Sequence, residues 1–195
     1  GARLLLSLPA SMIGASEHTR VSELLQSGLF DGAEANNLGQ CSLIAHLPLR
    51  IAGSGLNALN AVCAEQLATL GFNRIMLSQE LTKPQMRDIL EKTGGAVMIY
   101  GRTQTMQLRH CPILEQQGCK NCAGVAGTLV DEAGRVFPLS NVRQADGCLV
   151  RMLNCCVTDI TDLYAALPPV DAALLAFYDE TPNEVALRVK NACCA

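Results

Sequence analysis

Three cysteines stand within twelve residues in the stretch RHCPILEQQGCKNCAG: Cys111, Cys119 and Cys122, with His110 beside the first. A fourth, Cys148, completes the spacing C-x7-C-x2-C-x25-C. Thiolates are soft ligands, and a C-x2-C turn directs two of them at one point. Two more from neighbouring segments close a tetrahedral set suited to zinc or to an iron–sulfur cluster. The surrounding EQQGCKNCAGVAG is poor in large apolar residues, so core packing alone gives it little shape and metal ligation would supply the missing free energy.

Other readings of these thiols stay open. A redox C-x2-C pair ordinarily opens a helix after a strand, whereas this one lies in a glycine-flanked loop. A Cys111–His110 nucleophile pair is disfavoured because neighbours on an extended chain point to opposite sides, and no Asn or Asp orienter is evident. The third alternative is thiols without any ligand. Of the remaining cysteines, Cys41 and Cys63 fall on helical segments and read as small core residues. Cys155 and Cys156 precede a strand and rival Cys148 as fourth ligand. Cys193 and Cys194 close the sequence and read as incidental.

A chain of 195 residues with 49% hydrophobic content can bury one sizeable core. Its 18 acidic and 15 basic residues leave a net charge of −3, so no overall basic field draws it to nucleic acid. No apolar run is long enough to span a bilayer. The start, GARLLLSLPASMIGAS, has a very short apolar core broken by Pro9, and reads as a buried strand and loop rather than an export leader. A glycine directly before a core-type strand is expected of a piece cut from a longer chain. Ten cysteines without an export signal point to a reducing, cytoplasmic setting.

The elements that must position the cysteines alternate. Strand-length apolar runs are expected at 3–8, 30–36, 47–53, 72–78 and 96–102, separated by amphipathic helical segments. Thr82 is expected to cap one helix, with Pro84 in its first turn and Gly94–Gly95 ending it. Asn37 is placed to cap a helix over 38–47. This βαβα rhythm argues for an α/β fold with a parallel sheet, doubly wound or part of a (β/α) barrel. No GxGxxG or GxxxxGK[ST] stands at a strand-to-helix turn, which removes the usual support for nucleotide binding. The rhythm breaks after Arg102. The cysteine knuckle and a β-hairpin in GTLVDEAGRVFPLS, turning at Asp131–Gly134, follow before it resumes. The expected division is 1–102 for the first βα units, 103–148 for the knuckle and hairpin insert, and 149–195 for the terminal βα units. Thr181 with Pro182 is expected to open the last helix.

Four segments carry a resemblance. LPLRIAGSGLNALNAVCAEQLATLGFNRIMLSQELTKPQMRDIL is similar to a pattern of strand, LN-x-x-N, a helix ending in LG, a strand and LS-x-ELT. MIYGRTQTMQLRHCP resembles VYGR-x-PLM…CP, CKNC…LVDEAGRVFPL resembles a cysteine pair followed by L-x-D-x-x-G-x-x-FP, and CLVRMLNCCVTDITDL resembles C-x-x-x-LNS-x-PL-x-L-x-D. In this order they resemble the collagenase-like peptidases, peptidase family U thirty-two. The resemblance implies a truncated (β/α) TIM-barrel-like domain of a longer bacterial protein. It implies peptidase activity on peptide or protein substrates. Through related members it also implies hydroxylation of RNA or small aromatics with a four-iron four-sulfur cluster on four cysteines, here Cys111, Cys119, Cys122 and Cys148. The chain departs from the pattern at TQTM and at Cys155–Cys156.

Active sites on such barrels gather where strands end. Asn57, Asn60, Glu80, Tyr100 and Arg102 fall near expected strand ends and match motif positions, and His110 adjoins the cysteines. Arg102 is suited to grip a carboxylate or phosphate, or else to pair with Glu80 and tie neighbouring loops. Asn57 reads as a substrate contact or as the cap of the following helix. No G-x-S-x-G, H-E-x-x-H or Ser–His–Asp set is visible for peptidase chemistry. The expected functions are therefore peptidase, cluster-dependent hydroxylase, or a zinc-stabilised module without catalysis. Missing barrel strands would leave an open sheet edge, through which homodimerisation is expected.

Overall fold

The computed structural model describes residues 2–119 and 125–194. Four short parallel strands open the fold: β1 (Leu5–Ser7), β2 (Gly32–Ala35), β3 (Leu49–Ala52) and β4 (Arg74–Ile75), hydrogen-bonded in that order. A parallel bridge from Met76 to Ala96 carries the series on to β5 (Ala96–Gly101). The parallel partner of β5 on its other side is β11 (Ala172–Ala176). Six parallel strands thus follow one another in chain order, with no reversal. The edge of β5 facing β4 is shared: β4 meets its start, and the antiparallel β10 (Thr158–Asp159) pairs with Gly101 and Tyr100 at its end.

Helices α1 (Gly14–Gln26), α2 (Cys41–Ile44), α3 (Ala61–Thr69) and α4 (Lys83–Thr93) alternate with these strands and pack against them. Their apolar stripes supply Val21, Leu25, Ile44, Ala64, Leu67, Ile89 and Leu90, which meet Ala33, Ala35, Ala52, Ile75, Val97 and Ile99 in one buried cluster. The small alanines of β2 and β3 let the helices approach closely. All six residues of β5 are buried, so it reads as a continuous apolar run rather than an alternating one. Thr82 forms the expected capping box with Gln85, Pro84 lies in the first turn of α4, and Gly94 ends it. Asn37 also caps as expected, but its helix is a single 3-10 turn followed by four residues of α2. Short helix α6 (Thr161–Tyr164) and the final α7 (Pro182–Cys194) complete this body.

The insert is larger than the sequence reading allows. It is a four-stranded antiparallel sheet of β6 (Gln104–Leu108), β7 (Val125–Val130), β8 (Val136–Gln144) and β9 (Gly147–Leu153), in the order β6-β9-β8-β7. The expected hairpin is β7–β8, turning at Asp131–Gly134 through an Asp131-anchored loop. The strands on either side of it were not expected, and β9 carries the insert on to Leu153, past the expected boundary at 148. Short α5 (Pro112–Gln117) lies on one face, where Ile113 and Cys111 pack with Leu139 and Val150.

The tip of the β8–β9 hairpin is fastened to α1. That helix starts after Ile13, which has no side chain able to cap it, so its first amides need partners from elsewhere. The hairpin supplies them. Asp146 accepts from the Ser16 amide at 3.0 Å, and Gln144 accepts from the Ile13 amide at 2.6 Å while donating to Ser11 O at 2.7 Å. Gly14 is needed here: it sits at φ +75°, and a Cβ would overlap the Asp146 carboxylate. Glu17, wholly buried, accepts from Arg20 at 2.6 and 2.9 Å and from the Ala145 amide at 2.8 Å.

The Arg20 hydrogen bonds hold the Glu17 carboxyl below its ordinary pKa, against the opposing effect of burial. A depressed folded-state pKa contributes stability that is fully present above the unfolded value and is lost as pH falls through the folded one. Glu17→Gln is expected to cost about 2 kcal/mol at neutral pH. The gap from wild type should shrink as pH drops below about 4.3, the ordinary glutamate value. Urea unfolding of both proteins across that range checks it; a gap that stays constant with pH contradicts the assignment.

Candidate functional site

Strand register brings Cys111 and Cys148 toward the same end of the insert. In β9 the ladder to β8 is regular from Gly147 to Met152, with Cys148 opposite Arg143 and Val150 opposite Asn141. Successive strand residues alternate faces, so Cys148 shares a face with Val150, which with Leu139 forms the cluster that Cys111 packs against. On the other side of β9, β6 ends at Leu108 opposite Val150, three residues before Cys111. Cys111 therefore leaves the sheet at the end where Cys148 enters it. From there α5 leads to Cys119, and the chain returns into β7 at Val125, opposite Ser140, from the side of the same end. Cys111 is half-buried, and Cys119 and Cys148 are exposed. Cys122 lies outside the described residues. Among the described residues no three His, Cys, Asp or Glu side chains gather into a metal-holding group.

Cys155 and Cys156 belong to the opposite end, where β9 leaves the sheet. Five residues of extended strand separate Cys148 from Leu153, about 17 Å. Cys148 and this pair therefore stand a strand's length apart, at opposite ends of β9.

Arg102, expected to grip a ligand or to pair with Glu80, turns its guanidinium to backbone carbonyls and Asp179 rather than to Glu80. It stands where the chain enters the insert and donates from one guanidinium nitrogen to two carbonyls where the chain comes back: Asn154 O at 3.0 Å and Cys155 O at 2.7 Å. Its Nε faces Asp179 at 3.9 Å. The Asn154 amide donates to Thr103 O across the same neck. The preceding Gly101 has φ +136°, and a Cβ there would strike Ala176 O, so glycine is what lets β5 and β11 approach at this point.

Tyr100 is buried among the segments after β11. Its hydroxyl donates to Glu180 at 3.0 Å, its ring lies 5.7 Å from Phe177, and the Arg188 guanidinium of α7 stacks 4.5 Å over it. Arg188 also pairs with Asp159 of β10. Burial, reinforced by Glu180, raises the Tyr100 hydroxyl above its ordinary pKa. Burial alone would raise Glu180 too, but the Tyr178 amide and the Tyr100 hydroxyl hold its carboxyl down. Tyr178 in turn donates to Leu139 O of the insert at 2.7 Å. The set ties α7, β5, β10 and the insert together: Arg188 pairs with Asp159, and Glu180 accepts from the Tyr100 hydroxyl and the Tyr178 amide.

The other candidates sit at strand ends as expected, with structural partners. Asn60, not Asn57, caps α3 by accepting from the Cys63 amide at 2.8 Å. Asn57 adopts φ 53°, a left-handed conformation that asparagine tolerates, and accepts from Ser78 Oγ at 2.7 Å. Glu80 is exposed, and its amide donates to Ser78 Oγ at 3.4 Å. His110 is exposed in the bend after β6. Reading the sequence alone missed the Glu17–Ala145 and Asp146–Ser16 latch. One signal was present: the Asp146–Gly147 pair between alternating residues marks a turn, one residue on from the Ala145–Asp146 loop that closes the hairpin.

No protein-family profile matches the chain, and neither does any curated protein or solved structure. No described helix is long and apolar enough to cross a membrane.

If Arg102 holds the neck rather than a substrate, Arg102→Ala should lower stability by about 3 kcal/mol, the scale of two charge-assisted hydrogen bonds. Hydrogen exchange at the Asn154 amide should speed up in parallel. Unchanged protection of that amide would contradict the neck role.

Proposed function

We propose that the chain is the cluster-bearing part of a (β/α) barrel protein in which Cys111, Cys119, Cys122 and Cys148 hold a four-iron four-sulfur cluster. On this reading the full protein hydroxylates RNA or a small aromatic. The observation that carries it is the register of the insert, which brings the end of β6, just before Cys111, beside the start of β9, which bears Cys148. The donor set also fits: thiolates are the ligands such clusters take. The strand order β1-β2-β3-β4-β5-β11 supports the barrel, because a doubly wound sheet reverses direction partway. The latch onto α1 supports a site above the strand ends, since α1 follows the loop leaving β1 at its C-terminal end.

Each described part has a task in this scheme. Cys111 is steadied by its packing against the cluster of Leu139 and Val150, and Cys148 is fixed by the ladder to β8. Glu17, Asp146 and Gln144 keep that end of the sheet over the β1–α1 loop. A bound cluster would supply electron transfer. Peptide-bond hydrolysis, implied by the same resemblance, draws on no nucleophile that the arrangement of these residues favours. The open edges of the parallel series lie at β1, where Leu4 and Leu5 are exposed, and at β11; these are where a second copy would add.

Protein purified without oxygen is expected to be brown and to contain iron and acid-labile sulfide in equal amounts. Cys119→Ser should release both and loosen the 104–153 insert toward proteolysis. Zinc without iron would turn the reading to a zinc-stabilised module. Cleavage of gelatin by metal-free protein would turn it to a peptidase.

A further inference from the structure

The neck of the insert carries two thiols that the four-cysteine reading does not use. Cys155 and Cys156 follow β9 directly, with their sulfurs 3.7 Å apart. Their backbone is fixed from both sides. Arg102 donates to the carbonyls of Asn154 and Cys155, and the Cys156 amide donates to Asn154 Oδ1 at 3.4 Å. Cys156 is exposed and Cys155 half-buried, so the pair opens to solvent.

The spacing distinguishes two uses of such a pair. In a disulfide the α-carbons usually stand about 4.4–6.8 Å apart, whereas across a trans peptide they are held near 3.8 Å. A bond between these neighbours would be strained. Two thiolates on one tetrahedral ion are different: metal–sulfur bonds of about 2.3 Å put the sulfurs about 3.8 Å apart. The reduced pair is already at that separation. We propose that Cys155 and Cys156 form a second, independent metal site, a two-thiolate grip for a thiophilic divalent cation of the zinc and cadmium kind.

Both thiols lose their protons to solvent as the two metal–sulfur bonds form, so a divalent ion leaves the site neutral and nothing is oxidised or reduced. Arg135, whose charge reaches the pair, is itself held by Asp131 at 2.6 Å. Two coordination positions remain for water or an incoming donor. This sets the site apart from a closed structural centre and suits an ion that exchanges. Because Arg102 and Asn154 pre-order the backbone, binding needs to fix only two side chains, which limits its entropic cost. The length of β9 keeps this ion apart from anything held at Cys148.

Cadmium is the probe. The full chain is kept reduced by a phosphine and titrated in competition with a chromophoric chelator, while thiolate-to-cadmium absorption and released protons are followed. Wild type is expected to bind one equivalent that Cys155→Ser/Cys156→Ser binds at least tenfold more weakly, with two protons released for that equivalent. Cys119→Ser should keep it, which separates this site from the four-cysteine centre whether or not that centre exists. Should the double variant fold poorly, the exposed single change Cys156→Ser carries the same expectation. Equal cadmium stoichiometry and affinity in wild type and the folded variants would overturn the proposal. So would finding, in wild type under these reducing conditions, a tryptic fragment 152–188 two hydrogens lighter than its dithiol mass. That fragment contains only these two cysteines, and the shift would mean that the strained disulfide is preferred.

Discussion

One guanidinium closes the neck of the insert. The chain leaves β5 at Gly101, builds a four-stranded sheet, and returns at Asn154, where Arg102 binds two successive carbonyls. Closing a long excursion costs entropy only as the logarithm of its length, so a few strong bonds at the neck can hold a large insert. Arginine suits this task because it stays charged when half-buried and presents several donors in a fixed plane. Without the neck, β10 would lose its route to the edge of β5, and the parallel series would have no settled continuation to β11.

A neck alone would leave the insert free to swing. The α1 latch and the Tyr178 hydroxyl on Leu139 O fasten it at two further places. With the neck, these make three attachments between the insert and the rest of the fold. The latch works in both directions: the hairpin tip gains partners for its Ala145 amide, and α1 gains the cap its own sequence lacks. Helix and insert therefore depend on each other, although Glu17 and Ala145 are far apart in the chain. Cys148 lies on the latched side, so its strand is positioned against the parallel sheet through a buried carboxylate.

The parallel strands and their helices were legible because each is encoded locally. Thr82, Gln85 and Pro84 define a helix start within four residues, and the apolar run of β5 needs no partner to be recognised as a buried strand. The β7–β8 hairpin was legible for the same reason, through Asp131 and Gly134. β6 and β9 were not: QTMQL and GCLVRML are short, and what makes them strands is the pairing of Leu108 with Val150 and of Val142 with Leu149. Propensity for strand depends on what lies alongside, and here the neighbours are separated by some forty residues for one pair and are joined by a turn for the other. The start of α1 was hidden likewise, since its cap comes from Asp146. Arg102 was singled out for good reason, being a half-buried cation at a strand end. Its partners were beyond reach, because carbonyls carry no sequence signature.

The insert's sheet also keeps two groups of thiols apart. A regular antiparallel strand is stiff, and β9 holds Cys148 and the Cys155–Cys156 pair apart by its own length. Alternation along β9 places Cys148 on the face of Cys111, while the chain reaches Cys155 only after the ladder has ended. Thiols at the latched end sit beside the β1–α1 loop; those at the neck sit beside Arg102 and the end of β5. Both ends are tied to the same parallel sheet through backbone hydrogen bonds: at the neck by the carbonyls that Arg102 grips, at the far end through the ladder that pairs Cys148 with Arg143 and the Ala145 amide on Glu17. The insert thus acts as a spacer of fixed length, and the sequence separation of the thiols, thirty-seven residues from Cys111 to Cys148 against seven from Cys148 to Cys155, is the reverse of their grouping along the sheet.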